Sequence, residues 1–89
     1  MIQSSIIISN RLGLHARASA KLTKLAGRFR SEIYLSRNGR RVNAKSIMGV
    51  MMLAAGLGAS VDLEVDGADE AEAMAALRAL IDGRFGEEE

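Results

Sequence analysis

The chain has 89 residues, 48% of them hydrophobic, and a formal net charge of +1, which suits one domain with a modest core and no metal or disulfide support. It contains no cysteine and a single histidine, which excludes disulfide scaffolding, thiol chemistry and the usual nitrogen and sulfur donor sets of a transition-metal site. No apolar run approaches the roughly 20 residues that a membrane-spanning helix needs, and Met1-Ile2-Gln3-Ser4 lacks the basic start of a signal peptide. A cytoplasmic protein with no membrane insertion is therefore expected.

Ile2, Ile6 and Ile8 share one parity and Gln3, Ser5 and Ser9 the other, the period-two pattern of a half-buried strand, with Ile7 as the exception. From Ala16 to Gly27 the period lengthens. Ala18, Leu22, Leu25 and Ala26 fall on one helical face, and Gly27 is the expected stop. Ser31 to Ser36 alternates again through Ile33 and Leu35, and Asn38-Gly39 is the dipeptide of a two-residue type I′ hairpin whose partner strand is Arg40 to Ala44.

Ser46 stands as an N-cap before Ile47 to Ala54, a segment apolar nearly all round, so this helix is either buried or offered to a partner. Val50, Leu53 and Ala54 are assigned inward, and Met48 and Met51 at least partly outward. Val61, Leu63 and Val65 alternate with Asp62, Glu64 and Asp66 in a fourth strand with one wet face. Asp69 then resembles an N-cap with Glu72 at N3, a capping-box variant, ahead of a helix lined by Ala73, Met74, Leu77, Leu80 and Ile81. The order βαββαβα, with one-sided strands, predicts an α+β open-faced β-sandwich in a single domain, its helices on one face of the sheet. Residues 87–89 are expected to form a disordered acidic tail.

Charge is uneven along this order: most lysines and arginines precede position 46, while Asp62 to Glu72 and the last three residues are acidic. Arg17, Lys21, Lys24 and Arg28 make a basic stripe that starts beside the lone His15. The stripe reads either as a solvated helix face or as steering toward acidic partners. His15 reads either as an unremarkable turn histidine or as an anion site. At a helix start, unpaired N–H groups and the positive end of the dipole favour negative charge, Arg17 stands close, and Gly13 permits a tight turn. One ring nitrogen free to attack phosphorus would make His15 a phosphoryl acceptor. No second histidine or cysteine exists to build a metal site, and no cofactor is expected.

Two stretches carry a resemblance. Gly13-Leu14-His15-Ala16-Arg17, followed by Asn43-Ala44-Lys45-Ser46-Ile47-Met48-Gly49-Val50-Met51, resembles HPr, the family of histidine-containing phosphocarriers of the bacterial phosphoenolpyruvate:sugar phosphotransferase system (PTS). The similarity runs over essentially the whole chain. It implies a four-stranded antiparallel sheet with three helices, and a carrier rather than a free-standing enzyme. By that resemblance His15 takes a phosphoryl group on Nδ1 from phosphorylated Enzyme I and passes it to a histidine of an EIIA domain, with Arg17 steadying the phosphate. Ser46 matches the site used by HPr kinase/phosphorylase. Ala20, Lys24, Ile47, Met48 and Met51 match positions that dock partners. Methionine's adaptable side chain suits such a shared surface, while ordinary core packing is the competing reading of the apolar positions.

The family usually has proline directly after the arginine, where this chain has Ala18; alanine leaves a backbone N–H that proline lacks and loosens the helix start slightly. Two other functions compete with the sugar-uptake carrier. One is a nitrogen-branch or purely regulatory paralogue without sugar transport as its output. The other is a nucleic-acid-binding module, which the acidic last third and the scarcity of aromatic residues oppose. A monomer is expected.

Overall fold

The computed structural model describes residues 1–87. Strand β1 (Ile2–Ile7) leads to helix α1 (Ala16–Ala26), then β2 (Glu32–Arg37), β3 (Arg40–Asn43), α2 (Ile47–Met52), β4 (Ser60–Asp66) and α3 (Glu70–Asp82), with a closing left-handed turn at Arg84–Gly86. The four strands form one antiparallel sheet in the order β1-β4-β2-β3. This is the α+β open-faced sandwich that the alternating pattern predicts.

The two strands with the most buried faces, β4 and β2, are the central ones. The strand β4 lies between β1 and β2, so that Val65 stands opposite Ile2 on one side and Ile33 on the other, and Leu63 is flanked by Ser4 and Leu35. Val61, Leu63, Val65, Ile33, Leu35 and Ile6 are buried on the helix side. Ser4 is the polar member of that row, and its hydroxyl accepts from the Arg78 guanidinium of α3. The opposite face is wet: Ser5 Oγ donates to Asp62 at 2.6 Å, and Arg41 stacks 3.6 Å over the Tyr34 ring while reaching Glu64 at 3.0 Å. Exposed pairs of this kind add little stability each, so the sheet is held chiefly by its apolar face. Ile7, the exception to the β1 pattern, points out to solvent.

At the hairpin, Asn38 and Gly39 both have positive φ, 52° and 81°, as a type I′ turn requires. In α1, Ala18, Leu22 and Ala26 are fully buried while Leu25 is only partly so. Ser19 is buried as well, its hydroxyl donating to Leu14 O at 3.0 Å.

Two expectations are corrected. Ala54 is exposed, because α2 ends at Met52 and Ala54 adopts φ 50°. That left-handed residue breaks the helical phase, and Ala55, 2% exposed, takes the inward position instead. Asp69 stands at the start of α3 but makes no side-chain cap bond to it. Its carboxylate turns outward to the α1–β2 loop, accepting from Arg30 N–H at 2.9 Å, Ser31 N–H at 3.0 Å and Ser31 Oγ at 2.5 Å. The Ser31 hydroxyl, and then the Arg30 N–H, hold that carboxyl below its usual range. Glu70, not Glu72, reaches back over the helix start and accepts from Gly67 N–H at 3.3 Å.

Candidate functional site

His15 is the N-cap of α1, with extended backbone (φ −72°, ψ 178°) and its carbonyl accepting from Ser19 N–H at 2.9 Å. Its ring folds back over the first turn, where Nδ1 accepts from Arg17 N–H at 3.3 Å. The N–H groups of a first helical turn have no intrahelical acceptor, so the ring and these donors face one small volume. Ala18 is fully buried on the inner face, and the helix begins at Ala16.

The loop ahead of the ring is tightly docked. Gly13 has φ +64°, and a Cβ added there would lie 2.3 Å from Ala55 O and 2.6 Å from Gly56 Cα. Glycine is therefore required twice over, for its left-handed conformation and for the close approach. The approach lets Leu14 N–H donate to Ala55 O at 2.8 Å. Buried Leu14 then anchors the residue immediately before His15.

The other nitrogen of the imidazole meets Glu87. His15 Nε2 lies 2.7 Å from Glu87 Oε2, across 72 residues of sequence. The second carboxylate oxygen accepts from Asn10 Nδ2 at 3.1 Å, and the same amide nitrogen donates to Gly13 O at 2.8 Å. The bond from the Asn10 amide, then that from the His15 ring, with the charge of Lys21 nearby, holds the Glu87 carboxyl below the usual carboxylate range. Phe85 secures this end of the chain: it is 1% exposed, and its carbonyl accepts from Lys21 Nζ at 2.6 Å.

Glu87 thus departs from the expected disordered tail, whose other residues, 88 and 89, lie outside the described residues. The bond to Phe85 O also takes Lys21 out of the free basic stripe. Neither Asn10 nor Glu87 carries a local sequence signal; only the fold brings them to the ring.

Arg17 is exposed, and among the described residues its guanidinium makes no ion pair. Ala20 and Lys24 are exposed farther along α1, at the three- and four-residue steps that put them on one face with Arg17. Ser46 caps α2 about the same way as His15 caps α1, its Oγ accepting from Gly49 N–H at 3.2 Å. Beside it Ile47, Met48 and Met51 are exposed at 39%, 69% and 39%, while Val50 and Leu53 turn inward. The helix α2 packs against α1, so this apolar surface adjoins the helix that carries the ring. Among the described residues no cluster of His, Asp or Glu is placed to hold a metal ion, and no helix is long and apolar enough to cross a membrane.

Fold and site together define a small open-faced sandwich that presents one imidazole at a helix N-terminus beside an exposed apolar surface. The family model described as the PTS HPr component phosphorylation site matches residues 2–83. The phosphocarrier protein HPr of Cupriavidus necator is 68% identical over 89 residues, covering 100% of both chains. A crystal structure of HPr from Thermoanaerobacter tengcongensis matches with TM-score 0.96 at 45% identity over 100% of both chains. A structure described as an HPr dimer from the same organism matches with TM-score 0.79 at 45% identity, over 98% of this chain and 100% of that one. The chain belongs to the HPr family of PTS phosphocarriers.

Proposed function

We propose that His15 carries the phosphoryl group, accepting it on Nδ1 from phosphorylated Enzyme I and handing it to a histidine of an EIIA domain. The observation that carries this reading is the direction of Nδ1, turned toward the first-turn N–H of Arg17. As the Nδ1 lone pair forms the new N–P bond, the donor's bond to phosphorus breaks and its electron pair leaves with the donor. The incoming oxygens take over the helix N–H that Nδ1 had engaged, and the Arg17 guanidinium closes on them by charge-assisted hydrogen bonds. Transfer to the acceptor reverses these events. The protein is a carrier, with no turnover of its own.

Ile47, Met48 and Met51 form the apolar part of the docking surface, and Ala20 and Lys24 its α1 edge. The exposed Ser46 hydroxyl, next to this surface, is the regulatory position for HPr kinase/phosphorylase. A phosphoserine there is tolerated at a helix start, but it adds up to about two negative charges beside a patch that must be desolvated in complexes. It therefore weakens docking without unfolding the carrier. Incubation with Enzyme I and phosphoenolpyruvate tests the main reading: intact mass under basic conditions gains one acid-labile phosphate in wild type and none in His15→Ala. No gain in wild type contradicts it. The Ser46 reading is contradicted if HPr kinase/phosphorylase and ATP fail to label wild type.

A further inference from the structure

The geometry points to Glu87 as a positioning residue that keeps the proton of the His15 ring on Nε2, so that Nδ1 is the unprotonated nitrogen, the one that carries the lone pair. This rests on the carrier reading for its consequence but not for its geometry. Two contacts, one on each ring nitrogen, require the same tautomer. Nδ1 faces a backbone N–H, that of Arg17, and can only accept from it. Nε2 faces a carboxylate oxygen at 2.7 Å, which in its ionised form can only accept. The ring that satisfies both has hydrogen on Nε2 and none on Nδ1, and the neutral tautomer with the reverse arrangement breaks both bonds.

The carboxylate is held in place by neighbours that have few alternatives. Asn10 is fully buried, and its amide nitrogen bridges Gly13 O and Glu87 Oε1. Rotating the amide by half a turn sets oxygen against oxygen at both contacts. Its Oδ1, buried without a partner, is the unsatisfied atom that this orientation entails. The chain reaches Asn10 through three successive left-handed residues, Arg84, Phe85 and Gly86, at φ 58°, 56° and 77°. Two of these carry side chains that disfavour the region. Burial of Phe85 and the bond from Lys21 to its carbonyl hold the turn there, and Glu87 N–H donates to Arg84 O at 2.9 Å.

In phosphoryl transfer the proton on Nε2 does not move. When Nδ1 forms the N–P bond, the ring with hydrogen on Nε2 becomes formally cationic, and the Glu87 carboxylate faces that charge directly. Glu87 thereby selects the attacking nitrogen and balances the charge that develops on attack, as carboxylates behind imidazoles do in other sites.

The test uses full-length protein with ¹⁵N-labelled histidine, read by NMR above the histidine titration range, where no phosphate donor is present. Wild type shows one predominant tautomer, with a protonated Nε2 and an unprotonated Nδ1. In Glu87→Ala the two nitrogen shifts move toward each other as the other tautomer is populated, with the thermal midpoint as a check on folding. Asn10→Ala gives the same change in smaller measure. Phosphoryl uptake from Enzyme I falls about tenfold in Glu87→Ala. Unchanged ring shifts in Glu87→Ala overturn the proposal, and so does an altered tautomer with an unaltered transfer rate. A failure of the carrier reading appears instead as no phosphorylation of wild type, which leaves the tautomer measurement standing.

Discussion

Helices α1 and α2 both begin on a side chain that accepts from a first-turn N–H: His15 Nδ1 from Arg17 at 3.3 Å, and Ser46 Oγ from Gly49 at 3.2 Å. Around this shared cap their surroundings diverge. The start of α1 is enclosed: a loop docked through buried Gly13 and Leu14 precedes it, and Glu87 closes over the far side of the ring. The start of α2 is open, with an exposed serine, exposed Ile47 and Met48, and a helix of only 6 residues behind it. An anion-favouring helix terminus is thus only the beginning of a phosphoryl site. What differs is whether the acceptor atom is orientated by groups other than the helix, and among the described residues the His15 end has them, in Glu87 and Asn10.

The largest effect is expected from Phe85→Ala. Removing this buried aromatic side chain destabilises the fold by about 4 kcal/mol, read by chemical denaturation, and releases Glu87 from the ring, making the start of α1 as open as that of α2. Gly13→Ala follows at about 3 kcal/mol, combining a left-handed alanine with a carbonyl too close to its Cβ. Gly49→Ala is the matched change at α2, where the nearest contact to an added Cβ is 3.3 Å and no positive φ is involved, so it costs far less. Equal costs at the two glycines would erase the contrast between a docked and an open start.

Ser46→Ala removes a cap and costs about 1 kcal/mol, with phosphorylation of His15 unaffected. Loss of His15 labelling in that variant would show that the two helix starts are coupled. The smallest effect is in pH. Because Glu87's carboxyl is lowered by the Asn10 amide and the His15 ring, it titrates at lower pH in the folded chain than in the unfolded one. Its contribution is present above the ordinary glutamate range and is lost as pH falls through the lowered folded value. A carboxyl-carbon NMR titration should place Glu87 below an ordinary glutamate, and Asn10→Ala should move it back up. The stability difference between wild type and Glu87→Ala should likewise vanish in acid.

These contrasts also mark what the sequence could convey. Strand parity, the Asn38-Gly39 turn and the caps at His15 and Ser46 are local patterns, and each is read within a few residues. The clasp on His15 is not local: its partner lies 72 residues away, in a run of glutamates that by composition alone looks like a solvated tail. The same reason explains Asp69, a residue suited to capping that the fold diverts to a neighbouring loop, and Ala54, whose left-handed backbone leads into the segment that packs against Gly13. Side chains whose partners come from distant segments are invisible to periodicity, even when the elements that carry them are plain.

The defining property of this carrier is the atom that takes the phosphate. After phosphorylation by Enzyme I and phosphoenolpyruvate, ¹⁵N–³¹P coupling in histidine-labelled protein tests this directly. The expected result is a phosphorus coupled through one bond to Nδ1 of His15, with the Nε2 proton retained; coupling through Nε2, or a phosphate that resides on Ser46 under these conditions, would contradict it.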